Sequence, residues 1–160
     1  MRRLLLCVLF YYQCGALAAP MVEQVRVLKS AHQLQLITAG KVSHTFKIAL
    51  GGQPIGHKQQ EGDDRTPEGH YILDYKKVDS AYYRAIHISY PNDNDRAAAN
   101  ARGVSPGGLI MIHGQKNGLG WLSPLSQRID WTEGCIALSN SDMETLWDLV
   151  EAGTKIEILP

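Results

Sequence analysis

The chain has 160 residues, with 16 basic and 16 acidic side chains and a formal net charge of +0. This balance, without a basic stripe, argues against nucleic acid as a partner. The length suits one domain with its own hydrophobic core, and no segment beyond the N-terminus is long and apolar enough to span a membrane.

The first 18 residues have the layout of a secretory signal peptide. Two arginines precede an apolar run over residues 4–12, and small residues favour cleavage after Ala18. We therefore expect residues 19–160 to be one exported domain in the periplasm or cell envelope. A retained membrane anchor is the alternative, although the run is short for one. A lipoprotein is disfavoured because the residue before Cys14 is large and polar.

Residues 23–52 predict half-buried strands, because apolar and polar residues alternate there. A hairpin turn is predicted at Ala39-Gly40-Lys41, and Gly51-Gly52 ends the meander. Residues 53–68 are rich in Gly, Asp, Gln and Pro and predict a long ordered loop, of a kind that is often functional. The apolar positions predicted to face the core are Val25, Val27, Leu34, Leu36, Val42, Phe46 and Ile48.

The second half of the chain predicts more strands and one or two helices. Strands are indicated by HYILDYK, YYRAIHISY, GLIMIHG and TKIEIL, and a short helix by the alanine-rich segment after Pro91. SNSDMETLWDLVEAG predicts a helix that begins with a capping box of Ser141 and Glu144 and ends at Gly153. Its apolar face would carry Leu146, Leu149 and Val150. The fold class expected is mainly β with short helices (α+β).

Cys135 has no cysteine partner if Cys7 and Cys14 leave with the signal peptide. Exported proteins normally pair their cysteines or avoid them. An unpaired thiol here is therefore either a buried, inert side chain or a nucleophile.

The neighbours of Cys135 favour the nucleophile. A thiol is mostly protonated at neutral pH, and His113, at the end of an apolar strand, is the candidate base. Gly134 lets a substrate carbonyl approach closely, and N–H groups near Glu133, Gly134 and Cys135 are candidate donors to an oxyanion. The Thr132 hydroxyl would hold this turn. The chemistry predicted is acyl transfer through a thioester.

These motifs resemble the L,D-transpeptidase catalytic domain family (YkuD-like). The resemblance rests on His113-Gly114, on Thr132-x-Gly134-Cys135-Ile136, and on Thr66-Pro67-x-Gly69 before a strand. It covers most of residues 19–160.

The resemblance implies a β-sandwich with the active-site groove at a sheet edge and no cofactor. It implies attack on the acyl bond after the diamino acid of a peptidoglycan stem peptide, with release of D-alanine. The acyl group then passes to another stem or a lipoprotein. If water is the acceptor instead, the activity is that of a carboxypeptidase. Catalytic roles fall on Cys135 and His113, with the ring oriented by the carbonyl of Gly114, in place of the acidic member of a triad.

Ala137 departs from the family pattern, since many members carry Arg or Asn there. That change leaves the reaction class in place but affects the substrate or acceptor. The alternatives are therefore a hydrolase of the same family, either an L,D-carboxypeptidase or an amidase that releases a lipoprotein linked to diaminopimelate. From another class, the alternative is a cell-wall-binding module with an inert cysteine.

Substrate-binding candidates lie on both sides of the motif. His57, Lys58 and Arg65 are expected to line the groove and meet stem carboxylates, although an ordinary polar loop is as consistent with the sequence. Trp121 and Trp131 are expected to wall the groove or to pack in the core. No metal is expected, because the histidines lack zinc-ligand spacing and YPNDND lacks the glycine and distal glutamate of a calcium loop.

Overall fold

The computed structural model describes residues 21–160, so the predicted signal peptide lies outside the described part. None of the helices in this part is long and apolar enough to cross a membrane. The fold is mainly β, as expected, and its strands are β1 (Gln24–Leu28), β2 (Gln33–Thr38), β3 (Lys41–Lys47), β4 (Gly69–Ser80), β5 (Tyr83–Ile88), β6 (Met111–His113), β7 (Ile136–Ala137) and β8 (Thr154–Leu159).

All these strands belong to one sheet in the order β3-β2-β1-β8-β4-β5-β6-β7. The β1–β8 and β6–β7 pairs are parallel and the other pairs are antiparallel. The segment after β3 returns to the opposite edge, where Ala49 pairs with Ala137 and Gly51 with Thr132. The sheet therefore curls until its two ends are joined beside β7.

Three α-helices and one turn of 3-10 helix connect the strands, namely α1 (Asp93–Ala101), the 3-10 turn (Gly120–Leu122), α2 (Ser123–Ser126) and α3 (Asn140–Leu149). Asn92 and Asp95 form a capping box at the start of α1. α3 packs on the core through Met143 and Leu146, both fully buried. Residues 53–68 contain no helix or strand and form the predicted loop.

One hydrophobic core serves the whole sheet. Strands from both of its ends contribute fully buried side chains, among them Val25, Leu34, Leu73, Ile86, Ile112 and Ile136. Because apolar burial is the dominant favourable term in folding, this shared core explains why the sheet curls rather than staying open.

Val42 was predicted in the core but is 49% exposed. A register shift between Leu36 and Ile37 breaks the alternation, and β3 is an edge strand whose residues, apart from Phe46, are exposed. A bulge moves the following side chains to the other face, which the sequence period alone does not reveal.

Three predicted boundaries also need correction. The GLIMIHG strand is shorter than expected, since β6 begins at Met111 and Leu109 is 74% exposed. The cap of α3 is Ser139, whose hydroxyl accepts from the Asp142 N–H, and not Ser141. Leu149 was expected on the core face but is 38% exposed, because the helix ends there and only Val150 continues into the core.

Candidate active site

Cys135 and His113 lie on the same face of two adjacent strands. In the parallel β6–β7 pair, Ile112 is opposite Ile136 and His113 is opposite Ala137. Both isoleucines are fully buried in the core. Because side chains alternate along a strand, His113 and Cys135 project to the other face, where they line one groove of about 550 Å³.

Two aromatic rings hold the His113 imidazole. The Tyr82 ring lies 4.7 Å from it between centroids, and the Trp131 ring approaches edge-on at 5.8 Å. His113 is only 5% exposed, and its Nδ1 lies 2.7 Å from the carbonyl oxygen of Gly114. Nδ1–H therefore donates to that carbonyl, which leaves Nε2 as the basic nitrogen. Burial lowers the pKa of His113, and the bond to Gly114 opposes this only in part.

The Cys135 thiol lies against the backbone at the start of β6. The Met111 N–H donates to Sγ at 3.4 Å, and Sγ is 3.8 Å from the Leu109 carbonyl oxygen. Burial raises the pKa of the thiol, although the Met111 N–H acts in the opposite direction. Both shifts favour the neutral forms, a thiol on Cys135 and an imidazole on His113.

Thr132 organises the turn that carries the cysteine. Its hydroxyl donates to the Cys135 carbonyl at 2.7 Å and accepts from the Gly134 N–H at 3.2 Å. The Gly134 N–H is therefore already bonded, which corrects the expectation that it is free for an oxyanion. Within residues 21–160 the N–H groups of Glu133 and Cys135 have no such partner, so both remain candidate donors.

Gly134 is required by both its conformation and its surroundings. Its φ is +124°, which side-chain-bearing residues rarely adopt, and a Cβ there would lie 2.6 Å from the Arg65 carbonyl oxygen. Thr66 supports the same region from behind, because its hydroxyl accepts from the Gly51 N–H and Gly51 pairs with Thr132. Thr66 of the Thr-Pro-x-Gly segment thus supports the turn that carries Cys135.

The polar loop does not bring its predicted binding residues into the groove. Lys58 is 3% exposed and its ammonium is bound to Asp63 at 2.8 Å. His57 lies in a separate cleft, where Nε2 is 3.2 Å from Asp95. The side chain of Arg65 packs near Gly56, outside the groove lining.

The two tryptophans that were predicted to wall the groove differ in their positions. Trp131 lines the groove beside His113, whereas Trp121 is 74% exposed and lies outside the groove lining. Glu133 lies at the rim, exposed and within the lining.

Among the groove residues that sequence reasoning missed, Lys77 and Tyr82 bear on the chemistry of the site. Nothing in the sequence reveals that the β4–β5 hairpin brings Tyr82 onto His113. The sequence could have indicated Lys77, because consecutive residues of a strand point to opposite faces of the sheet, and Lys76 and Lys77 therefore do so.

Comparisons with known proteins identify the family of this chain. The family model for the L,D-transpeptidase catalytic domain (YkuD) matches residues 23–158. The protein named "Putative L,D-transpeptidase YafK" from Escherichia coli K12 is 35% identical over 105 residues, which are 64% of this chain and 38% of YafK.

Solved structures show the same fold. Pgp2 from Campylobacter jejuni, described as a helical cell shape determining protein, is 29% identical with a TM-score of 0.64, over 86% of this chain and 47% of Pgp2. An L,D-transpeptidase from Mycobacterium smegmatis, 15% identical, has a TM-score of 0.57 over 87% of this chain and 59% of its own. This chain thus spans less than half the length of YafK and Pgp2. It belongs to the L,D-transpeptidase catalytic domain family.

Proposed function

We propose that this chain is a cysteine acyltransferase of the L,D-transpeptidase type, which acts on peptidoglycan stem peptides in the cell envelope. The observation that carries the proposal is the placement of Cys135 and His113 on one face of adjacent strands in a single groove. Membership of the family and the likeness to a cell-shape protein support peptidoglycan as the substrate.

The first half-reaction forms a thioester. His113 Nε2 takes the proton of Cys135 as Sγ attacks the carbonyl carbon of the diamino acid in a stem tetrapeptide, at the bond that joins it to the terminal D-alanine. The carbonyl oxygen becomes an oxyanion that the Cys135 N–H stabilises. When the intermediate collapses, the C–N bond breaks, the imidazolium returns the proton to the departing amine, and D-alanine leaves.

The second half-reaction transfers the acyl group. An amine of another stem, or of a lipoprotein, attacks the thioester carbonyl and gives its proton to His113, after which Sγ leaves as the thiolate and is reprotonated. The imidazolium formed in each half-reaction is stabilised by the π-system of Tyr82, whose ring centroid lies 4.7 Å from that of His113.

One observation favours hydrolysis as a second candidate. Ala137 is fully buried directly opposite His113, and its carbonyl accepts from the Gln127 side chain at 3.2 Å. An alanine offers no polar side chain to an incoming acceptor, where many relatives have Arg or Asn. Water would then accept the acyl group, and the enzyme would act as a carboxypeptidase or as an amidase that releases a diaminopimelate-linked lipoprotein.

Mass spectrometry of defined tetrapeptide muropeptides, and of sacculi bearing linked lipoprotein, tests the proposal. Cross-linked dimers with loss of D-alanine are expected from transfer; trimmed stems or released lipoprotein without dimers would indicate hydrolysis. Cys135→Ala should abolish every product while preserving the fold by circular dichroism. Products from that variant would refute the mechanism.

Iodoacetamide labelling of the native protein distinguishes an enzyme from a binding module with an inert cysteine. The catalytic thiol should be modified without unfolding and more slowly in the His113→Ala variant. Labelling only after denaturation would support the binding module.

A further inference from the structure

The groove beside Cys135 has one cationic and one anionic side chain besides the catalytic pair. Among the described residues that line it, Lys77 is the one lysine or arginine and Glu133 the one carboxylate. They lie at opposite sides, since Lys77 is on β4 and Glu133 precedes β7, with β5 and β6 between these strands. A ligand carboxylate is therefore attracted toward β4 and repelled from the turn that carries the cysteine.

The strand register defines where Lys77 lies relative to the catalytic histidine. Lys77 is opposite Ala85, and Ala85 is opposite His113, so the three share one face. Lys77 and His113 are thus about 10 Å apart across the sheet. The small Ala85 side chain between them forms a floor over which a short aliphatic chain fits.

Lys77 is available for a ligand, unlike the other lysines near the site. Its side chain is 48% exposed, and its contact is Asp79 at 3.6 Å, itself 90% exposed. Such a surface pair is worth little and exchanges readily. In contrast, the ammonium groups of Lys29 and Lys58 are buried and bound to carboxylates at 2.7 and 2.8 Å.

We propose that Lys77 binds the free carboxylate at the far end of the diamino-acid side chain in the donor stem. This assignment rests on the proposed function, because it places the acyl carbon of that diamino acid at Cys135 and its side chain over Ala85. Lys77 is remote from the reacting atoms, so it determines which stem binds and does not take part in the proton transfers. A donor whose distal carboxylate is amidated lacks the charge that Lys77 recognises.

The test compares two donors, a diaminopimelate tetrapeptide with a free distal carboxylate and the same peptide amidated there. For the wild type, kcat/KM should be about tenfold higher with the free donor. Lys77→Gln should lower kcat/KM for the free donor to that of the amidated one, through KM with kcat unchanged, and leave the amidated donor unaffected. Lys77→Arg should retain most of the preference, and Lys41→Gln, on the exposed edge strand, should retain all of it.

A binding measurement separates this assignment from the proposed function. Calorimetry in the Cys135→Ala background should give a Kd ratio of about ten between the two donors, which disappears when Lys77→Gln is added. Equal losses on both donors, or a wild type indifferent to amidation, would overturn the assignment of Lys77. A wild type that binds with this preference but turns over neither donor would overturn the proposed function while upholding the carboxylate site.

Discussion

The turn over residues 132–135 and the polar loop over residues 53–68 lie side by side but use their polar groups differently. In the turn, Cys135 lines an open groove, and within residues 21–160 its N–H group has no hydrogen-bond partner. In the loop, Lys58 binds Asp63, and Glu68 binds Lys29, which directly follows β1.

This difference shows what separates a chemical site from its scaffold. Polar side chains in the loop are numerous, but the buried ones have partners and therefore define a shape rather than a binding surface. Lys29 illustrates this, because its ammonium also binds the carbonyl oxygens of Gly56 and Thr66 and so ties the loop to β1. The loop acts on the turn through the Arg65 carbonyl, which lies against Gly134.

Gly134→Ala should have the largest effect on the contact between the two regions. The new Cβ would lie 2.6 Å from the Arg65 carbonyl oxygen at a φ of +124°. We expect destabilisation of at least about 2 kcal/mol and a loss of about a hundredfold in kcat/KM, because the turn must move. Urea unfolding and turnover of a tetrapeptide donor measure the two effects.

Gly40→Ala is the matched control. Gly40 also has a positive φ of +70°, but a Cβ there would meet nothing within 4 Å. It should cost about 1 kcal/mol of stability and no activity. Wild-type turnover by Gly134→Ala would show that the loop and the turn are not coupled in the way their packing implies.

Tyr82→Leu should have an intermediate effect, confined to the groove. Burial lowers the pKa of His113, and the Tyr82 ring at 4.7 Å favours the imidazolium against that effect. Leucine keeps the site dry but removes the π-system, so the pKa of His113 should fall further below its usual value. NMR titration of the imidazole measures this, and the acid limb of kcat/KM should move to lower pH with it.

Tyr75→Leu is the comparison variant, because Tyr75 lines the same groove but stacks on His87 at 4.6 Å. It should leave the titration of His113 unchanged. A rise in the pKa of His113 on Tyr82→Leu would mean that the ring acts mainly by excluding water.

The sequence predicted the elements of both regions better than their contacts. The mainly β class, the loop and the last strand follow from local alternation and composition. The bulge that exposes Val42 lies in the pairing of β2 with β3, and α3 ends early because Val150 has an extended backbone; local periodicity records neither.

For the candidate site, the motifs around Cys135 and His113 pointed to residues that the fold brings into one groove. The binding residues were harder to predict, because charge alone does not distinguish Lys58 from Lys77. Lys58 is buried against Asp63, whereas Lys77 reaches the groove from a strand that is more than fifty residues from Cys135 in sequence. A residue's availability depends on partners that only the tertiary structure supplies.

Asp63→Asn should have the smallest effect on activity, although it removes the carboxylate to which several groups of the loop are hydrogen-bonded. Burial acts to raise the pKa of Asp63, but the N–H groups of Gln59, Gln60 and Arg65 and the ammonium of Lys58 together hold it below its usual value. Because the pKa of Asp63 is lower in the folded state, its carboxylate stabilises the fold at pH values above the unfolded pKa of about 3.9. This contribution is lost as the pH falls through the folded pKa. The free energy of unfolding of the variant should therefore be about 1 to 3 kcal/mol lower than that of the wild type near neutral pH. The difference between the two proteins should become smaller in acid.

Urea unfolding of both proteins at about pH 7 and about pH 3 checks the sign of this dependence. Asp148→Asn, at an exposed position on α3, is the control and should match the wild type at both. Turnover by Asp63→Asn should stay within a few-fold of wild type, because the carboxylate stabilises the loop and does not face the groove. A loss of activity without a loss of stability would instead make the loop part of the catalytic machinery, and the distinction between scaffold and site would then fail.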